Sequence, residues 1–509
     1  MWEKYGYDCK DERICYIIPK FIKQLTVKSM WRPVLMINGF IMLVLGMMMM
    51  VPAVIPYYDG QDFDYIFLKS SLAVIFFGGA LFLSNFGQIQ KISILQGYLI
   101  TVISWFVAPL VCALPFLNNG TIHTFYDALF EATAGIAATG ATILDNVEIQ
   151  PKSVLLWRSM LNGLGGVGII IFAVALSPFL GTGGMHLFNR ENSDTEEKFL
   201  PKMRYIANDI IIVYVLLNIL CAGLLKFFGM EWFDAITWAM ATLSTGGFSI
   251  KNDSILSYHS FPIEATIAFF MLMGALPITY FVLLFKNKNF ATLRGNAQVN
   301  TLLKLIVIYT LVLGGFYAYQ TQKPLGQALW VVMFNIIAAM TTAGIYTADY
   351  TTWGSWAVIA FLVMFLHGGC TGSTTGSIKI FRWQVIFSFL KLHIKKSLSP
   401  NQVVVMKAGD KVIHDNIVFS VFALVLSFLL AIVFFSAVLC FCGVDFMTAF
   451  GAVIANITGV GAGLTSNIGP NGSFSFFSPF VKYVLSFVMV LGRLEVITVV
   501  VLAGKIRWK

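Results

Sequence analysis

The sequence predicts an all-α membrane protein of ten spans, in which four pseudo-symmetric helix, re-entrant loop, helix repeats follow two leading transmembrane helices. Three observations predict it. Of 509 residues, 58% are hydrophobic and only 12% charged, with a mean hydropathy of +0.80, whereas a soluble domain carries about 25% charged residues. Apolar runs of the ~20 residues that cross ~30 Å of hydrocarbon recur along the chain. Clusters of small residues return at a long, nearly regular interval between those runs. A cytosolic or secreted globular enzyme is thereby excluded.

In chain order the spans fall at 34–56, 65–86, 94–117, 154–178, 206–229, 262–285, 302–319, 356–378, 415–442 and 479–502. Before the first of them stand Lys4, Lys10, Arg13, Lys20, Lys23 and Lys28. A polar, basic leader without a short apolar region and cleavage site reads as a cytoplasmic N-terminus, not a signal peptide. Ten spans return the chain to its starting side, and the distribution of Lys and Arg then tests the topology. With the N-terminus inside, inner segments hold Lys198, Lys202, Arg204, Lys286, Lys288, Arg294, Lys391, Lys395 and Lys396, whereas outer ones hold mainly acids and amides such as Asp59, Asp62, Asp64, Asp145 and Asp349. The expectation is N-in and C-in, with the net charge of +9 serving the lipid bilayer or a cytosolic partner and no nucleic acid.

After spans three, five, seven and nine comes a short, moderately apolar stretch and then a cluster: Ala138-Thr139-Gly140-Ala141-Thr142, Ser244-Thr245-Gly246-Gly247-Phe248, Thr342-Ala343-Gly344-Ile345-Tyr346 and Gly459-Val460-Gly461-Ala462-Gly463. Stretches too short to cross and too apolar for a loop are re-entrant. Gly140, Gly246, Gly344 and Gly461 are separated by 246−140=106, 344−246=98 and 461−344=117 residues, which marks internal repetition. The expected division is 1–93 for the N-terminus and leading helices, then repeats at 94–196, 197–297, 298–408 and 409–509.

Non-helical backbone at membrane depth must be buried in protein or line water. Four equivalent loops meet this requirement by converging on a pore. Half-helices entering from outside aim their partly negative C-terminal ends at the membrane centre, which favours a cation. Glycine permits backbone that turns carbonyl oxygens inward, and a ring of such oxygens replaces the hydration shell of a monovalent cation. No acidic side chain stands in any cluster, which disfavours a divalent-selective pore.

Seven scattered cysteines lack a CxxC pair, and the histidines lack metal-ligand spacing; neither a disulfide framework nor a zinc site is indicated. Gly163-Leu164-Gly165-Gly166-Val167-Gly168 matches GxGxxG but lies inside a span with no preceding strand, so it is no dinucleotide site. No nucleophile with a base and no P-loop is present.

The run Gly368-Gly369-Cys370-Thr371-Gly372-Ser373-Thr374-Thr375-Gly376-Ser377-Ile378-Lys379, with Arg382 after it, resembles the glycine-rich motif of the TrkH/KtrB superfamily of bacterial potassium uptake proteins. Leu164-Gly165-Gly166-Val167-Gly168-Ile169, then Gly183-Gly184-Met185 and Glu191, is similar to the region after that family's first filter, and Gly492-Arg493-Leu494-Glu495 is similar to its last-helix motif. The likeness runs from about residue 31 to the end, and the two leading helices place it nearer the TrkH branch. It implies potassium uptake across the bacterial inner membrane through a channel-like subunit. It also implies a homodimer and a cytosolic nucleotide-binding RCK (TrkA-like) regulator.

By the same resemblance the selectivity positions are Gly140, Gly246, Gly344 and Gly461, flanked by Ala138, Thr139, Thr245, Ala343 and Val460, with potassium as substrate and no cofactor in the chain. Gly140, where some members carry serine, points to potassium over sodium; Ala343, Val460, Ala462 and Ser377 depart from the usual motif. The alternatives are a sodium-permeable relative and a secondary transporter of a small solute.

Two control points are expected. Gly368 to Ser377 interrupts span eight with almost no helix former, so it forms an intramembrane loop beneath the filter that obstructs permeation and moves on opening. Arg493 lies 505−493=12 residues before Lys505, or ~18 Å along a helix. That is too deep to snorkel, and its charge is expected to protrude into the pore.

Overall fold

A computed structural model describes residues 12–58, 60, 62–87, 94–118, 121–180, 196–287, 296–402, 405–408 and 411–496. Two helices lead, α1 (Glu12–Tyr58) and α2 (Tyr65–Asn85). The next group is α3 (Ile94–Cys112), α4 (Leu114–Asn118), the short α5 (Phe125–Ile136) and α6 (Lys152–Leu180). Then follow α7 (Glu196–Phe227), the short α8 (Trp232–Leu243), α9 (Phe261–Ala275) and α10 (Ile278–Asn287). The third group is α11 (Ala297–Thr321), the short α12 (Leu325–Met340), α13 (Ser355–His367) and α14 (Ile380–Leu398). The last is α15 (Asp415–Phe441), the short α16 (Phe446–Thr458) and α17 (Pro479–Arg493). A two-residue antiparallel ladder, Lys407 opposite Val412 and Ala408 opposite Lys411, is the one strand pairing among the described residues.

Helix starts follow local chemistry. Asp64 caps α2 by accepting from Ile66 N (3.1 Å) and Phe67 N (3.3 Å). Asn296 caps α11 through Gln298 N (2.8 Å) and Val299 N (3.3 Å), and Asp445 caps α16 through Met447 N (3.1 Å) and Thr448 N (3.4 Å). Each side chain supplies an acceptor to amides that have no helical partner. The four short helices sit at the centre: α16 is buried from Thr448 onward apart from Phe450, and α12 from Val332 apart from Met333. Long helices instead expose large apolar side chains, such as Phe76 on α2, Leu311 on α11 and Phe419 on α15. A chain with this distribution is solvated by hydrocarbon at its periphery.

The expected spans need correction in one place. Six described helices are long and apolar enough to cross a membrane, and a seventh results if α9 and α10 are counted together, although they meet at a 95° bend. The expected span 262–285 is therefore broken. Pro277 has no amide for Met273 O and its ring crowds the preceding turn, and the bend carries Ile278 N away to Gly372 O, leaving the carbonyls of Gly274 and Ala275 to donors from outside the helix. The expected span 356–378 stops at His367, and helix resumes only at Ile380. The last expected span, 479–502, is helical as α17 to Arg493, and its end lies outside the described residues.

Candidate functional site

The four clusters follow the C-terminal ends of α5, α8, α12 and α16, and each helix closes in the same way. Thr139 N donates to Ala134 O (2.8 Å), Gly246 N to Ala241 O (3.0 Å), Ala343 N to Ala338 O (2.9 Å) and Val460 N to Ala455 O (3.0 Å). Each is a bond to the carbonyl five residues back, the signature of a Schellman end, which needs a left-handed residue just before it. That residue is Ala138 (φ 46°), Thr245 (φ 51°), Thr342 (φ 54°) and Gly459 (φ 76°) in turn. Three of the four are not glycine, a conformation costing about 1–3 kcal/mol each that persists only where surrounding structure imposes it.

A second left-handed residue follows two positions later: Gly140 (φ 81°), Gly247 (φ 75°), Gly344 (φ 65°) and Gly461 (φ 81°). This corrects the register read from the sequence. Gly247, not Gly246, corresponds to Gly140, Gly344 and Gly461, while Gly246 corresponds to Thr139, Ala343 and Val460. Two adjacent glycines are indistinguishable by spacing alone, and only the backbone hydrogen bonds separate them.

The clusters form a closed ring. A Cβ on Gly140 would strike Gly246 O, one on Gly247 would strike Ala343 O, one on Gly344 Val460 O, and one on Gly461 Thr139 O, every approach being well under 3.0 Å. Each second-glycine position thus abuts the middle carbonyl of the next cluster, and the fourth returns to the first. Behind the ring, Asn162, with its amide oriented by its partners, donates to Gly135 O and accepts from Phe248 N, both at 3.0 Å.

On the side to which the short helices point their C-termini, the ring is covered by two features. The first is the segment 368–379 between α13 and α14, where Gly368 (φ 67°), Gly372 (φ 83°), Ser377 (φ 64°) and Lys379 (φ 73°) are left-handed. Cys370 N donates to Ala275 O (2.9 Å), Thr374 N to Gly274 O (3.3 Å) and Ile278 N to Gly372 O (3.1 Å), so the two interrupted helices satisfy each other's broken ladders. Thr374 Oγ1 bonds Leu243 O (3.1 Å) and Gly274 O (3.0 Å), and Gly376 N donates to Thr342 Oγ1 (3.0 Å). Within the segment, Ser373 Oγ donates to Cys370 O (2.6 Å), Gly369 N to Thr375 Oγ1 (3.2 Å), and Ser377 Oγ to Phe365 O (2.6 Å). Thr371 N reaches Gln298 Oε1 at 2.9 Å. The segment therefore touches the ends of α8 and α12, and Gly376 is packed against Thr458 O at the end of α16.

The second feature is Arg493, 7% exposed. Its guanidinium donates to Ala137 O and Ala138 O at the end of α5 and, at 3.1 Å, to Thr374 O. The charge rests on backbone carbonyls at a helix C-terminus, where the helix dipole is negative. Glu495, two residues on, pairs with Arg382 instead.

The sequence missed the break at Ala275–Ile278, although Gly274 and Pro277 were its signal, and it missed Gly247. Among the described residues no group of three or more His, Cys, Asp or Glu side chains is placed to hold a metal ion.

Fold and site together define a polytopic helical membrane protein in which four non-helical backbone clusters converge. Residues 64–507 match the sequence model of the TrkH family, described as "Cation transport protein", and the chain belongs to that family. It is a membrane transport protein, not an enzyme. It is 31% identical over 481 residues to the Trk system potassium uptake protein TrkI of Halomonas elongata, covering 94% of this chain and 97% of the relative. It is 30% identical to TrkH of Escherichia coli K12, covering 94% and 99%. The crystal structure of the potassium transporter TrkH from Vibrio parahaemolyticus superposes with a TM-score of 0.85 at 27% identity, covering 93% of this chain and 98% of that one.

Proposed function

We propose that the chain takes up potassium across the bacterial cytoplasmic membrane, through the centre of the ring formed by Ala138 to Gly140, Thr245 to Gly247, Thr342 to Gly344 and Gly459 to Gly461. The ring closure carries this reading: four backbones of the same alternating hand, each seated against the next, supply main-chain oxygens around one axis. Such oxygens substitute for the water shell of a partly dehydrated alkali ion. The four short helices add about half a negative charge each at their inner ends. The relatives named as potassium uptake proteins support potassium as the ion.

In this reading the repeats are 94–196, 197–297, 298–408 and 409–509 after a leading unit 1–93, the spans number ten, and both termini are cytoplasmic. Residues 368–377 and Arg493 are the gate. They lie across the inner mouth of the ring and hold each other through Thr374 O. The subunit works as a homodimer with a cytosolic nucleotide-binding RCK (TrkA-like) regulator, which the basic cytoplasmic segments receive.

The deciding experiment is growth of a bacterium lacking its own potassium uptake systems on limiting potassium. Expression of this chain with a Trk-type regulator is expected to restore growth, with rubidium competing for influx more strongly than sodium. Absence of restored growth with the protein correctly inserted overturns the reading.

A further inference from the structure

A fully buried charge pair stands behind the ring, between the first and second clusters. Glu131 of α5 and Arg158 of α6 are fully buried, and Arg158 Nε donates to Glu131 Oε1 at 2.7 Å. Glu131 also accepts from Ile143 N (2.9 Å) and Thr142 Oγ1 (3.0 Å), the backbone leaving the first cluster. The guanidinium extends further: Nη2 donates to Thr142 Oγ1 (3.1 Å), and Nη1 donates to Ser249 O (2.9 Å), two residues past Gly247 in the second cluster. Its Cζ lies 4.2 Å from the centre of the Phe248 ring. One side-chain pair thus joins a short helix, the exit of its own cluster and the exit of the next.

The repeats treat this position differently. Glu131 stands 140−131=9 residues before its ring glycine, and Asn335 stands 344−335=9 before its own. Asn335 makes the same local clamp with a neutral amide, accepting from Thr347 N at 3.2 Å, and among the described residues its hydrogen bonds stay within the third repeat. The second and fourth repeats carry Trp238 and Ala452 there, at 247−238=9 and 461−452=9. Among the described residues the charged brace therefore spans the junction of clusters one and two alone. A fork of fixed geometry holding two backbones in a low-dielectric interior fixes their separation more stiffly than packing does.

We propose that Glu131 and Arg158 are positioning residues that set ion discrimination by fixing the spacing of the first two clusters. The inference rests on the ring being the potassium filter. A carbonyl ring selects between ions of different radius by the number and spacing of its oxygens, so loosening one junction lets a smaller ion be held as well.

The test is potassium, rubidium and sodium flux through the purified protein in proteoliposomes, with thermal melting followed in parallel. Arg158→Lys keeps the charge opposite Glu131 but loses the fork to Ser249. It is expected to lower the potassium-to-sodium flux ratio about fivefold, the factor carried by about 1 kcal/mol. The paired change Glu131→Gln with Arg158→Gln copies the amide of the third repeat. It leaves no lone buried charge, so it is expected to stay folded and to show a similar loss of discrimination. Thr142→Val, nearly isosteric, removes the shared hydroxyl and is expected to shift the ratio in the same direction. A folded variant of either Arg158 change that discriminates as the wild type does overturns the proposal. If the wild-type protein itself prefers none of these ions, it is the filter reading that fails.

Discussion

Gly461 presents its α-carbon to the carbonyl oxygen of Thr139, so the last cluster of the chain closes directly on the first. The contact leaves no room for a Cβ, and φ of 81° at Gly461 is a conformation that L side chains rarely adopt. Gly461→Ala is therefore penalised twice, by strain and by collision with Thr139 O. Potassium uptake by that variant is expected to be lost or to lose its ion preference, measured by rubidium influx into potassium-depleted cells. Gly315→Ala serves as the contrast: no atom lies within 4 Å of the added methyl, and the change is expected to be neutral or stabilising by up to about 1 kcal/mol.

The register correction at the second cluster gives its own test. Gly247 has φ of 75° and abuts Ala343 O, whereas Gly246 contributes the middle carbonyl and is crowded by the Asn162 side chain. Gly247→Ala is expected to abolish uptake in the way Gly461→Ala does. Gly246→Ala alone is expected to impair uptake through its collision with Asn162, and pairing it with Asn162→Ala, which vacates the space, to recover part of that loss. Equal and irreversible loss in all three proteins would remove the distinction between the two glycines.

Thr374 joins the interrupted segment to the ring. Its hydroxyl serves Leu243 O and Gly274 O, and its own carbonyl accepts from Arg493. Thr374→Val removes the hydroxyl at nearly constant volume and takes the side-chain donor from Leu243 O, at about 1–3 kcal/mol, while Gly274 O keeps the Thr374 amide. That penalty falls on the closed arrangement, so basal flux without a regulator is expected to rise. Shortening the segment by deleting Gly372 and Ser373 is expected to raise it further. Unchanged flux from well-expressed variants would count against the segment as an obstruction.

Arg493→Ala withdraws a cation from the face of the ring at which the short helices end and frees Ala137 O and Ala138 O. Faster rubidium efflux from preloaded vesicles is the expected result, with Arg493→Lys intermediate because an ammonium cannot serve three separate carbonyls with a fork. Equal efflux from Arg493→Ala and wild type would show that the charge imposes no barrier.

Toward the other end of α17, Lys482 Nζ donates to Asp127 Oδ1 (2.6 Å) and Ser475 O (2.7 Å). Both partners are largely shielded, so Lys482→Met strands a carboxylate and is expected to destabilise the protein by about 3 kcal/mol. A lowered melting temperature in detergent checks this. Adding Asp127→Asn is expected to recover much of the loss.

Much of this architecture was legible in the sequence because membrane solvation writes it plainly. Spans declare themselves by length and apolarity, and the clusters Thr139-Gly140, Ala343-Gly344 and Val460-Gly461 by their period. The segment 368–377 was legible because ten residues with almost no helix former cannot continue a helix. Less legible was the break between α9 and α10. Gly274 and Pro277 occur singly in many straight membrane helices, and their effect depends on Cys370 and Thr374 arriving from another part of the chain to satisfy Ala275 O and Gly274 O.

Sequence alone determined that the chain is an integral membrane protein, that the four clusters and the segment 368–377 leave the helical state inside it, and which family it resembles. Those properties follow from local composition and spacing, because hydrocarbon penalises every unsatisfied peptide group wherever it lies. Tertiary structure decided which of two neighbouring glycines faces the ring, that Arg493 binds carbonyls of α5 instead of a carboxylate, and that Glu131 is braced by Arg158 across two clusters. Those outcomes depend on groups brought together from distant parts of the sequence, and spacing along a chain carries no record of such pairings.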